Sequence, residues 1–211
     1  MRIALVARSS NPLATHADPD AAAEAGRVTS LGQALAGLGH RVTIYTRRDS
    51  RALPDSAIIA PGVTVEHVTA GPPQPLDADK LAPHLPEFGN YLAQRWRRNP
   101  PDVAHAHHWT AGLAALAGAR NLGVPVAQTF GSLAVAEQRH GGPDRLPDAR
   151  LRLEACIARS AGVVLASSAE ELADLARLGV ARARAKLVPC GVNTELFSPE
   201  GPVAELSLIH I

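Results

Sequence analysis

Apolar runs and amphipathic stretches alternate along almost the whole chain. RIALVA (2–7), RVTIYTRR (41–48), GVTVEHVTAG (62–71), PPDVAHAHH (100–108), GVPVAQTFG (123–131), GVVLASS (162–168) and AKLVPCG (185–191) are short and rich in β-branched or small apolar residues. Runs of this kind predict strands. Between them apolar residues recur at helical spacing. Val28, Leu31, Leu35 and Leu38 mark the inner face of a first helix, capped at Asp18-Pro19 and closed by the glycine turn GLGH (37–40). Phe88, Leu92 and Trp96 mark a helix over 86–98, and others are predicted over 109–121, 146–161 and 169–179. In the 146–161 helix Leu153, Cys156 and Ile157 share the inward face.

Strand and helix in regular alternation predict an α/β fold with a doubly wound, mainly parallel, Rossmann-like sheet of about seven strands. In such a sheet ligands bind beyond the carboxyl ends of the strands. Here those ends are Arg8-Ser9-Ser10, Thr46-Arg47-Arg48, His107-His108-Trp109, Gly131-Ser132, Ser167-Ser168 and Cys190-Gly191. They are polar and rich in hydrogen-bond donors, so the site is sought there. Exposed loops are polar for other reasons too, and position decides for a site over that reading.

Composition narrows the picture. Hydrophobic residues make up 46% of 211 positions, ample for a buried core. The net charge is +1, from 21 basic and 20 acidic residues, far from the basic balance of a nucleic-acid binder. MRIALVARSS has too short an apolar run for a signal peptide, and no stretch approaches a membrane span. Cys156 reads as a small buried residue and Cys190 as a turn residue, unpaired in a reducing cytosol. The expectation is a soluble cytoplasmic protein.

Two motifs exclude whole classes. The loop after the first strand, RSSNPLATH, has no glycine, against the G-x-G-x-x-G of nicotinamide and flavin enzymes. A phosphate loop of the G-x-x-x-x-G-K-[ST] type is absent as well. HAHHW is a third candidate. His105 and His107 point to one strand face and His108 to the other. Two histidines on a face suit zinc, but no third ligand lies nearby in sequence, so a packed His105 with His107 and His108 lining a cleft is the preferred reading.

PPDVAHAHHWTAGLAAL, RLRLEACIARSAGVVLASSAEELADLARLGV and the closing KLVPCGVNTELFSPEGP together resemble the first domain of family 4 glycosyltransferases, retaining enzymes built from two Rossmann domains (GT-B). The likeness runs from Arg2 to about Pro202 and is most specific in P-x-G-V-[DN]-x-x-x-F-x-P. The sucrose-phosphate synthase-like and inositol-phosphate N-acetylglucosaminyl transferase-like groups are nearest in flavour. The resemblance implies an acceptor-side domain over 1–190, an interdomain linker over 191–202, and a tail over 203–211 that does not resemble the start of the second domain. That domain, which carries most of the nucleotide-sugar site, would make a full member about twice as long.

The resemblance also implies roles. His107, His108 and Trp109 fall at the acceptor cleft, Ser132 follows the sugar-contacting stretch, and Arg150 stands where a basic residue can meet an acceptor phosphate. Glu154 and Glu171 match acidic positions that serve as caps or cleft residues. Ala22 and Ala23 replace the glycines of a donor-phosphate loop, Gly131 occupies the family's histidine position, and Glu137 and Ala78 stand where lysines are expected, with Lys80 near the latter. No catalytic residue is therefore secure. A UDP- or GDP-sugar co-substrate, a small-molecule or glycan acceptor and no metal are implied. The alternative is a degenerate binding domain, or a partner of an active paralogue.

Overall fold

The computed structural model describes residues 1–8, 19–139, 148–192 and 194. The elements in chain order are β1 (Arg2–Ala7), α1 (Pro19–Gly37), β2 (Arg41–Arg47), β3 (Ser56–Ala60), β4 (Val63–Val68), α2 (Ala78–Leu81), α3 (Leu85–Arg98), β5 (Val103–His107), α4 (Trp109–Ala119), β6 (Val126–Thr129), α5 (Ala134–Arg139), α6 (Asp148–Ser160), β7 (Val163–Ala166), α7 (Ala169–Arg177) and β8 (Ala185–Leu187). Among the described residues one eight-stranded sheet has the order β3-β4-β2-β1-β5-β6-β7-β8. Every pairing is parallel except β3 with β4. β1 lies in the middle and is covered on both faces, which explains its unbroken apolar run.

The edge strand β3 was not expected. Its apolar stretch, AIIA, is too short to show a period and ends at Pro61-Gly62. Those two residues make the turn: proline suits its second position, and Gly62 supplies φ +78° at the third. α5 and α2 were missed for the same reason, being shorter than two helical turns.

Two inward residues prove to face water. Leu38 is 75% exposed, because α1 stops one residue earlier. There the Gly39 N–H donates to Ala36 O and the His40 N–H to Leu35 O, with Gly39 left-handed, a Schellman closure that turns the chain outward. Cys156 is exposed too, while its neighbour Ile157 is fully buried, so the buried face of α6 runs through Glu154, Ile157 and Ala158. Both cysteines are free and exposed. The expected cap Asp18, most of the linker and the tail lie outside the described residues.

Helices α3 and α4 pack together on one face of the sheet, where Phe88, Leu92 and Trp96 are buried as expected. Two glycines set their separation. A Cβ at Gly118 would lie 2.6 Å from Leu92 Cβ, and one at Gly89 would lie 2.8 Å from Ala117 Cβ. Gly118→Ala is therefore expected to cost about 1–3 kcal/mol by overpacking, against a small gain in helix propensity. Urea unfolding measures it, and an unchanged midpoint would show that the helices separate freely.

Candidate functional site

The strand order reverses between β1 and β5: the chain moves from β1 outward through β2 and β4, then returns to β5 on the other side. Crevices at such reversals open beyond the carboxyl ends of the strands. The register places Ala7, the last residue of β1, beside His107, and His107 beside Thr129. Arg8, His107, His108 and the segment from Thr129 to Ser132 thus converge on one edge.

His108 is the most constrained of them. Its φ of 74° and ψ of 153° fall in a region that is essentially reserved for glycine. Several bonds hold it there. Its N–H donates to Thr129 O at 2.9 Å, and its carbonyl accepts from Gly112 N at 3.0 Å and from the buried Gln128 Nε2 at 3.2 Å. Its ring caps α4, Nδ1 accepting from Thr110 N at 3.4 Å with Thr110 Oγ1 at 2.9 Å. An accepting Nδ1 leaves the proton on Nε2, so the ring is a neutral N–H donor with a defined tautomer. Burial, then the nearby charges of Arg8 and Arg150, push its pKa well below the ordinary histidine value.

His105 and His107 share a strand face, with ring centroids 4.1 Å apart. His105 Nε2 lies 2.8 Å from Thr129 Oγ1, and burial lowers its pKa to about 4. His107 is held neutral by burial, by His105 and by Arg27. Its Nε2 is buried and finds no hydrogen-bond partner among the described residues. His107 and His108 line a recess of about 50 Å³ together with Glu24, Arg27, Thr129 and Gly131. Among the described residues no three histidine, cysteine, aspartate or glutamate side chains gather as a metal site.

A second recess, about 160 Å³, lies beyond β6 and β7, lined by Gly131, Ser132, Ser167, Ser168, Glu171 and Asp174 among others. Gly131 borders both recesses. It holds φ +77°, and a Cβ there would meet nothing within 4 Å. A side chain at this position would have room, at the cost of a left-handed backbone. Glu171 resolves as a cap: its carboxylate accepts from Ser167 N at 2.8 Å and Ser167 Oγ at 2.7 Å, while Ser168 Oγ accepts from Glu171 N at 3.1 Å.

Arg150 lies beside these recesses on α6, its side chain only 12% exposed. Its Nε donates to Glu154 Oε1 at 2.8 Å, and its Nη1 and Nη2 donate to the two Glu137 oxygens at 2.7 and 2.8 Å. Glu154, 1% exposed, also accepts from Ala134 N at 2.8 Å and so caps α5. Burial raises the Glu154 pKa against the pull of Ala134 N–H and Arg150. Burial also works to raise Glu137, but the bonds from Arg150 and Ser132 outweigh it and its pKa falls.

The expected site residues therefore divide. His107, His108, Ser132 and Arg150 come to one edge. Trp109 does not line the cleft: it is 3% exposed and packs in the core with Leu81, Phe130 and Ile157, because α4 begins there and turns it inward. Ala22 and Ala23 are not in a loop. They stand exposed in the first turns of α1, where a run of three alanines favours helix. Ala78 begins α2, and Lys80 is exposed and pairs with Asp77 at 3.3 Å. Gln128 and Thr110 were not singled out, and Arg8 was named only among the strand ends. Only the position of Arg8 at a strand end signalled it; nothing in the sequence marks Gln128 as the residue that holds the His108 carbonyl.

The comparisons with known proteins agree with this fold. D-inositol 3-phosphate glycosyltransferases from Nocardiopsis dassonvillei and Streptosporangium roseum are 33% and 34% identical over 204 and 206 residues, in each case 94% of this chain. The chain spans about half the length of the curated relatives it matches, 48% and 47% for these two. Sucrose-phosphate synthase from Thermosynechococcus elongatus superposes with a TM-score of 0.83 at 27% identity, over 94% of this chain and 50% of that one. The Anabaena protein HepE, solved with UDP-glucose, shares the fold at a TM-score of 0.60 and 16% identity, over 94% of this chain and 47% of its own. No described helix is long and apolar enough to cross a membrane. The model of Glycosyltransferase Family 4 matches residues 26–196, a stretch that takes in His107, His108, Ser132 and Arg150, and the chain belongs to that family.

Proposed function

We propose that this chain forms the acceptor-side half of a retaining glycosyltransferase that moves a sugar from a nucleotide-sugar to an acceptor hydroxyl. The observation that carries the reading is the pair of neutral histidines lining a recess at the β1–β5 reversal, within the stretch the family matches. In this reading Nε2–H of His108 donates to an acceptor or sugar oxygen, and the unpartnered His107 Nε2 completes the recess. Pinning the tautomer in advance means no reorganisation is needed when the acceptor arrives. Charge building on the departing nucleotide diphosphate needs donors from a second lobe, whose closure would also exclude water. The reading needs no metal, since basic side chains and helix N-termini can meet that charge.

A second reading, a binding domain without turnover, is favoured by Gly131, which offers no side chain between the two recesses. One experiment separates them. UDP-glucose is titrated calorimetrically into the chain alone and into a version extended to its relatives' length, and donor consumption is followed. Consumption by the extended protein is expected. Binding without consumption would favour the binding domain, and neither would reject both readings.

A further inference from the structure

Arg150 has the form of an anion site, yet its guanidinium is already occupied. All three of its nitrogens donate to carboxylates: Nη1 and Nη2 to Glu137 at 2.7 and 2.8 Å, Nε to Glu154 at 2.8 Å. Glu137 meets it through two parallel bonds, the arrangement by which arginine also takes phosphate. Both carboxylates are also held by other groups. Glu154 is buried and also holds the first N–H of α5, and Glu137 accepts a further bond from Ser132 Oγ at 2.6 Å. One guanidinium thus faces two carboxylates.

We infer that Glu137 is a specificity-determining residue that closes Arg150 to anions, so that this cleft takes an uncharged, hydroxyl-bearing acceptor in place of a phosphorylated one. The word acceptor rests on the transferase reading; the closure to anions does not. A phosphate reaching Arg150 would have to displace the Glu137 carboxylate from two charge-assisted bonds and then lie close beside it. The repulsion between them adds to the cost. A hydroxyl needs no such displacement. It can donate to the outer lone pairs of Glu137, and Ser132 beside it can accept. The matched relatives named for inositol 3-phosphate carry a phosphate on that substrate, so this chain departs from them at the acceptor's charge.

The test is calorimetric titration of inorganic phosphate, near neutral pH and at low salt, into the whole chain. Three proteins are compared: the natural one, Glu137→Gln and the double variant Glu137→Gln/Arg150→Gln. The natural protein is expected to bind phosphate weakly or not at all. Glu137→Gln should bind at least about tenfold more tightly, because a charged pair is released to the ligand, and the double variant should lose that gain. A merely structural role for Glu137 would give no gain of phosphate binding. Two results overturn the inference: natural protein that binds phosphate as tightly as Glu137→Gln, or a folded Glu137→Gln that gains nothing. If Glu137→Gln does not fold, Glu137→Ala is read by the same criteria. Because the readout is phosphate binding and not turnover, failure here is distinct from failure of the transferase reading, which the UDP-glucose assay decides.

Discussion

Arg150→Met is expected to destabilise the protein by about 3–5 kcal/mol, the cost of breaking a buried ion pair from one side. The partner left behind is Glu154, 1% exposed, whose only other hydrogen bond among the described residues is from Ala134 N. An unpaired carboxylate at that depth must take a proton or let α5 come away from α6. Glu137, more exposed, has less to lose because water can reach it. In a domain of this size the loss lowers the melting temperature by about 10 °C. The double variant Arg150→Met/Glu154→Gln is expected to recover more than half of it. A glutamine oxygen can still accept from Ala134 N, and no buried charge remains. Thermal and urea unfolding of the three proteins measure both effects. A single variant as stable as the natural protein would mean that the cluster is solvated and that the methionine only trims its edge.

The second large effect is an acid-side loss of stability centred on the histidines of β5 and the turn after it. All three are held neutral by burial: His105 is lowered to about 4, and His107 and His108 lie well below the ordinary value. Their folded values are depressed relative to about 6.5 in the unfolded chain. Between the two values the unfolded chain binds more protons, so stability is complete above about pH 6.5 and falls as the pH drops. His105 alone contributes about 3 kcal/mol to that fall by pH 4. His67, also lowered by burial, acts in the same direction. Glu154 opposes them, because its raised value lets the folded protein take up a proton early. Glu137, lowered, adds its own loss only once the pH falls to the ordinary carboxylate value, where the unfolded chain takes up that proton first. Urea midpoints taken from neutral pH down to about pH 5 should therefore fall steadily before the carboxylates titrate. A flat profile over that window would show that the histidine rings are hydrated in the folded state.

The same histidines show how far the chain could be read before its structure. HAHHW placed His105 and His107 on one strand face, and their rings do lie together. Nothing in those five letters announces a φ of 74° at His108, because that angle is imposed from elsewhere. It results from Thr129 O on the neighbouring strand, Gln128 beneath it and Thr110 across the cap. Strain of this sort persists only where several partners over-determine it.

Sequence by itself determined the layers and the succession of most elements along the chain. Period-two and continuous apolar runs mark buried strands, and Phe88, Leu92 and Trp96 mark a helix face, because those periods follow from backbone geometry over many residues. The parallel sheet, the closure of α1 at Gly39 and the convergence of site residues on the strands' carboxyl ends follow from the same reasoning. Tertiary structure decided what depends on partners far along the chain. It turned Leu38 and Cys156 outward, since one more residue of helix or a rotation about its axis reverses a face. It drew Trp109 into the core, and it made an edge strand of AIIA by giving that segment β4 to pair with. It also joined Arg150 to Glu137 across a gap of 13 positions, turning two separate letters into one occupied anion site. Charge pairing over such distances is set by how α5 and α6 pack, and no local period in the chain encodes it.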